Sequence, residues 1–136
     1  MRITKITIVK ETPKPQNNIN DLLLQFGETL GLFSSRDKDK SCYRILIILI
    51  KALKLKQELT SDEIASQSGL SRGTVVYHLN NLMSAGIVTS YRTTYQIGAN
   101  DLEELVAKMR IGIDRMIDDL AQTAKKIDVA LRIKKQ

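Results

Sequence analysis

Two helix starts and two helix stops are written into residues 60–86, and they leave that part of the chain little conformational freedom. Thr60-Ser61-Asp62-Glu63 has the form of a capping box, in which the Thr60 hydroxyl accepts from the Glu63 amide and Glu63 reaches back to the cap. The short helix that follows turns Ile64 and Ala65 inward and stops at Gly69, where a left-handed residue is cheap only for glycine. Ser71 caps a second helix with Val75, Leu79 and Leu82 as its inward stripe, and Gly86 closes it. With so short a turn the two helices must cross. Ala65 is small where the second helix passes over it, and Leu70 and Val75 fill the space between.

The flanks read less sharply. Ile6 and Ile8, two apart among Thr and Lys, predict a strand within residues 1–10. Thr12-Pro13-Lys14-Pro15 and the Gln16-Asn17-Asn18 stretch make a linker. A helix capped by Asn20 or Asp21 runs through Leu23, Phe26 and Leu30, weakened by Gly27 and Gly31 at about 1 kcal/mol each relative to Ala. Residues 34–40 form a solvated connection. Ser41 opens a helix whose centre, Ile45-Leu46-Ile47-Ile48-Leu49-Ile50, is apolar on every side; Ala52, Leu53 and Leu55 make it too long for a buried strand. Such a helix must be covered all round, in part by another subunit.

Beyond Gly86, residues 87–91 and 94–97 are β-like runs on either side of Arg92-Thr93, a hairpin without the Asn-Gly signal. Asn100 caps a final helix with Glu103 at its third position. In it Val106, Met109, Ile113, Met116, Leu120, Thr123, Ile127 and Ala130 alternate spacings of three and four. That heptad seam predicts a coiled-coil-like pairing, with Thr123 and Ala130 weakening its far end. The expected fold class is mainly α with a small β-hairpin. The expected organisation is an N-terminal strand, linker and accessory helix over 1–40, a central domain over 41–98 and a C-terminal helix over 99–136.

Composition narrows the function classes. One cysteine, Cys42, and one histidine, His78, among 136 residues exclude a disulfide framework and a Cys- or His-based metal cluster. Cys42 reads as a small buried residue and His78 as a packed or locally bonded ring beside the inward stripe. No Gly-rich phosphate loop, catalytic carboxylate pair or nucleophile motif is present, so no enzyme and no cofactor is expected. The longest apolar run, residues 45–50, is far short of the roughly 18–20 residues of a membrane span. With no charged-then-apolar leader, the expected compartment is the cytoplasm and no membrane partner is expected. The net charge of +6 suits a polyanionic partner, but it is unevenly spread. Residues 1–59 carry 11 − 6 = +5, residues 60–98 carry 2 − 2 = 0, and residues 99–136 carry 8 − 7 = +1.

The order helix, short helix, tight turn, second helix and hairpin is that of a winged helix-turn-helix. Residues 42–98 resemble transcriptional regulators of the ArsR/MarR-like kind, above all at Leu70-Ser71-Arg72-Gly73-Thr74-Val75-Val76-Tyr77-His78-Leu79 and the Leu82-to-Val88 exit. The resemblance implies a dimer bound to double-stranded DNA, with the 71–85 helix in the major groove and the hairpin as the wing. At 100° per residue, Gly73, Tyr77, Asn80 and Ser84 lie opposite the inward stripe, with Thr74, Val76 and Asn81 on the flanks. In that docking Arg72 takes a guanine edge, Asn80 an adenine edge, and Val76 a thymine methyl. Ser71, Thr74 and Tyr77 bond phosphates, Gly73 admits close approach, and the amides near Thr60 and Ser61 offer a further phosphate site. Arg92 and Thr93 form the wing tip. The long last helix is similar to the dimerisation helix of such regulators, so Val106, Met109, Ile113, Met116, Leu120 and Ile127 form the expected dimer interface. Metal-sensing relatives need Cys, His and carboxylate clusters, which this chain lacks, so no metal is expected. Two rival readings stay open: a winged-helix protein–protein module, favoured by the neutral central segment, and a sensor of an unknown small-molecule effector.

Overall fold

The computed structural model describes residues 3–10, 18–33 and 39–134. Five helices and a small sheet follow in the order α1 (Ile19–Thr29), α2 (Ser41–Lys54), β1 (Leu59–Thr60), α3 (Ser61–Ser68), α4 (Arg72–Ser84), β2 (Val88–Tyr91), β3 (Thr94–Ile97) and α5 (Leu102–Ala130). The fold is the expected mainly helical one with a β-hairpin. No helix among the described residues is long and apolar enough to cross a membrane.

The apolar run of residues 45–50 is helical and lies at the centre. Ile45, Leu46 and Leu49 have no exposed surface, and α2 packs on α3, α4 and β3 together. Burying each such side chain stabilises the fold by roughly 1.5–3 kcal/mol. The remaining face of α2, with Ile47, Ile48 and Ile50, is half-buried. Here α1 lies alongside: a Cβ on Gly27 would stand 2.7 Å from the Tyr43 ring and 3.2 Å from Phe33. Gly27 is therefore more than a weak point in α1, because it lets the helix sit directly on an aromatic pair whose ring centroids are 5.0 Å apart. Burial, and then the Glu28 carboxylate, push the Tyr43 phenol above its ordinary pKa. The start of α1 lies earlier than expected. Asn18 caps it, accepting from the Asp21 amide at 2.8 Å while its own side-chain amide donates to the Asp21 carboxylate at 2.8 Å.

The sheet has three antiparallel strands in the order β1-β3-β2. The hairpin spans the predicted runs, except that Ile87 is buried just ahead of β2. β1 was not foreseen: Leu59 and Thr60 pair with Tyr95 and Thr94, and two residues are too few to show any periodicity.

Residues 3–10 do not form the predicted strand. They cross the C-terminal ends of two helices, where carbonyls lack intrahelical donors. The Thr4 and Lys5 amides donate to Ser84 O at 2.9 and 3.1 Å, and the Val9 amide donates to Thr29 O at 2.8 Å. Ile3 is the anchor, buried between Gly86 and Gly112. A Cβ at Gly86 would meet Ile3 Cγ1 at 2.7 Å, and one at Gly112 would come closer still. This segment therefore ties the end of α4 to α5.

In α5 the cap is Asp101, one residue later than expected, accepting from the Glu104 amide at 2.7 Å; Glu104 in turn accepts from the Asn100 amide at 3.4 Å. Leu105 and Met109 are buried in the domain core, and Leu102 and Met116 pack against it. Two members of the predicted seam thus face their own chain. Met109 is 4% exposed and cannot meet a partner, because the inward face of α5 is turned to one side of the seam. From Ile117 to the last described residue every position is exposed.

The two turn glycines separate a conformational cost from a packing cost. Both have left-handed φ, +72° at Gly69 and +79° at Gly86, yet a methyl on Gly69 would find its nearest neighbour 3.9 Å away. Gly69→Ala is expected to destabilise by about 1–2 kcal/mol, and Gly86→Ala by about 1–3 kcal/mol more because it displaces Ile3. Urea midpoints at unchanged m-value measure both, and an Ile3→Ala background should bring the two losses together.

Candidate nucleic-acid interface

The first half of the candidate interface is the α3–α4 turn. The capping box is formed as read: the Glu63 amide donates to Thr60 Oγ1 and the Thr60 amide to Glu63 Oε1, both at 3.1 Å. Thr60 also lies in β1 and its hydroxyl donates to Glu63 at 3.0 Å. The amide and hydroxyl of Thr60 are thus committed within the chain, while Ser61 beside it is half-buried. At the other end of α3 the Gly69 amide donates to Ala65 O at 2.9 Å, and the Arg44 guanidinium of α2 donates to Ser68 O. The last turn of α3 is thereby tied to α2.

Ser71 caps α4 with extended backbone, its Oγ accepting from the Thr74 amide at 3.2 Å and donating to Thr74 Oγ1 at 2.9 Å. The helix then divides cleanly. Val75, Leu79 and Leu82 are buried, whereas Arg72, Gly73, Tyr77, Asn80 and Asn81 are exposed, with Thr74 and Val76 half-buried at the margins. Tyr77 shows 63% of its surface, and its ring meets His78 edge-on with centroids 5.2 Å apart. His78 is half-buried beside the inward stripe. Gly73 stands in open space, with nothing within 4 Å of the position a Cβ would take. Unlike Gly27, Gly86 and Gly112, it is crowded by no neighbour, and unlike Gly69 it has no left-handed φ.

The second half is the hairpin tip. Arg92 adopts φ 57°, a left-handed conformation that costs a non-glycine residue about 1–2 kcal/mol. Its guanidinium lies over the Tyr91 ring, 5.3 Å from the centroid. Thr94 Oγ1 braces the base of the turn, within 2.9 Å of Tyr91 O and 3.2 Å of Glu58 Oε2. Arg92 and Thr93 are exposed.

Two residues of this surface were missed in the sequence. Tyr91, 60% exposed, is an aromatic platform beside Arg92; its outward place at the strand end was legible, but its ring contact was not. In the sequence Asp62 reads only as part of the α3 cap. It pairs with Arg72 across the turn, Oδ1 to Nε at 3.4 Å. No spacing rule connects residues on two crossing helices. Of the expected interface on α5, Val106, Leu120 and Ile127 are exposed at 43%, 65% and 51%, Ile113 and Met116 are half-buried, and Met109 is in the core. Among the described residues no group of three or more His, Cys, Asp or Glu could hold a metal ion.

Residues 45–90 match the family model for bacterial regulatory proteins of the arsR family. That segment runs from α2 through most of β2, so the likeness to winged helix-turn-helix regulators read from residues 42–98 holds over its central part. No curated protein matches the chain. Among solved structures, the crystal structure of ligand-free NadR is similar over 85% of this chain and 99% of that one, at 21% identity and a TM-score of 0.39.

Because Gly73 lies in a helix and touches nothing, Gly73→Ala should stabilise the isolated protein by about 0.5–1 kcal/mol. An upward shift of the urea midpoint is the expected result, opposite in sign to the same substitution at the turn glycines.

Proposed function

We propose that this protein is a transcriptional regulator that binds double-stranded DNA as a dimer, with α4 in the major groove and the β2–β3 hairpin as the wing. The observation that carries the reading is the outward face of α4, on an arsR-type segment. It is polar, exposed and opened by a glycine for which the fold has no use. In this docking Arg72 reads a guanine edge and Asn80 an adenine edge, with Asn81 beside it and Val76 against a thymine methyl. Ser71, Thr74 and Tyr77 bond phosphates, and the missing side chain of Gly73 lets the backbone come close. Ser61 is the phosphate ligand at the start of α3, while Thr60 serves by shaping that start. Arg92 and Thr93 reach the neighbouring minor groove or backbone from the wing.

The reading of a dimer is supported by the outer half of α5. A single helix with no tertiary contact is marginal in water, and its apolar residues ask for cover. Counted at 100° per residue, Val106, Ile113, Ile117, Leu120, Ala124, Ile127 and Leu131 share one stripe, roughly 70° round the helix from the inward Leu105–Met109–Met116 face. The partner seam is therefore this stripe, which replaces Met109 and Met116 with Ile117, Ala124 and Leu131. Two chains would carry 2 × 6 = +12, and their half-sites would lie about one helical turn of DNA apart.

The expected result on labelled duplexes is salt-dependent retardation. Replacing both Arg72 and Arg92 with Ala should weaken it by about tenfold or more. The neutral charge of residues 60–98 favours a second reading, a protein–protein module; it would be supported if no duplex were retarded at any salt concentration. For the dimer, Leu120→Glu should give a monomer by light scattering at micromolar concentration, with the domain still folded. A wild-type chain that is already monomeric there would remove the two-half-site arrangement.

A further inference from the structure

We propose that Asp62 is a specificity-determining residue of this interface. It holds Arg72 by Nε, so that the outer edge of the guanidinium is presented to a single guanine. The inference rests on the DNA-binding reading above.

Arg72 is the first residue of α4 and the one permanently charged side chain on that helix. Asp62 is the second residue of α3, brought beside it by the crossing of the two helices, with Nε and Oδ1 3.4 Å apart. Both side chains are largely in solvent, 72% and 73% exposed, so the pair contributes little to the fold. Its consequence is directional. A guanidinium is a planar fork of five N–H donors, and the O6 and N7 of guanine take two parallel donors from it. With the carboxylate beside Nε, the two terminal nitrogens are left for the base. An unbraced, exposed arginine samples many rotamers, all but one of which are lost on binding.

The carboxylate also has an electrostatic effect of opposite kind. Asp62 and Glu63 cancel Arg72 and Arg92, which is why residues 60–98 are neutral. Glu63 is occupied by the capping box, whereas the one ion-pair partner described for Asp62 is Arg72. A negative charge beside the phosphate track weakens attraction to any duplex. Non-specific binding falls, and only the guanine that the arginine fits offsets the loss. Specificity is a difference of affinities, and lowering the wrong one serves it as well as raising the right one. A bystander role, in which Asp62 merely complements the N-terminal end of α3, predicts the electrostatic effect without the directional one.

The test uses the full chain. Sequences bound by the wild type are selected from a random duplex pool. Affinity is then measured across a salt series for the selected site, for the same site with each G·C pair replaced in turn, and for a random duplex. Arg72→Ala should abolish discrimination at one G·C pair. Asp62→Asn should bind the random duplex at least as well as wild type, yet lose about two- to five-fold of discrimination at that same pair. In an Arg72→Ala background, Asp62→Asn should leave discrimination unchanged. Thermal unfolding of each variant checks that the fold is intact. If Asp62→Asn shifts affinity for every duplex by one common factor, or alters discrimination equally with and without Arg72, Asp62 is a bystander and the inference falls while DNA binding stands. If no guanine preference depends on Arg72, the inference falls in the same way. If the wild type shows no salt-dependent binding to any duplex, both readings fall together.

Discussion

Burial of α2 is the constraint from which the rest of the structure follows. Its six-residue apolar centre offers no polar face to water, so the chain must wrap it. It does so with α3 and α4 on one side, β3 on another and α1 over the remainder. Each covering element is short and could not stand alone. Their mutual angles are set by contact with one helix, which is how an eight-residue α3 and a thirteen-residue α4 hold a fixed crossing. The Arg44 guanidinium shows the link directly, since a side chain of α2 donates to the carbonyl of the last residue of α3. Placement of the outward face of α4 is a consequence of packing on the far side of it.

A second dependence runs through backbone carbonyls. Helix ends leave acceptors unmet, and the N-terminal segment meets two of them, at Ser84 and Thr29, while Ile3 fills the gap between Gly86 and Gly112. One extended stretch therefore couples the exit of α4, the middle of α5 and the end of α1. In the proposed dimer this coupling sets the angle between the reading helix and the seam that joins the subunits, and so the separation of the two half-sites.

Electrostatics enter late and locally. The net charge of the chain lies almost wholly outside the segment that carries the interface. Within that segment two arginines each lie against a neighbour, Arg72 beside Asp62 and Arg92 over the face of Tyr91. In the proposed docking such a surface depends on the direction of a few donors more than on attraction at a distance, which salt screens within about 10 Å at 0.1 M.

Local chemistry alone determined where most elements begin and end. Thr60 and Ser71 cap their helices and Gly69 takes the left-handed position, because each depends on neighbours within four residues; spacing likewise puts Val75, Leu79 and Leu82 on one face, which α2 and α3 then bury. The same locality made the outward face of α4 legible before any fold was known. Tertiary structure decided what depends on distant partners. Residues 3–10 have strand-like composition but meet helix ends, not a strand edge. Gly27 looks like a flaw until Tyr43 is set against it, and Asp62 looks like a cap until Arg72 arrives from the next helix. The heptad pattern of α5 holds two overlapping stripes, and only packing against Ile3 and the core shows which one is left facing outward. Periodicity names the faces of a helix, but the neighbours it meets decide which of them is buried.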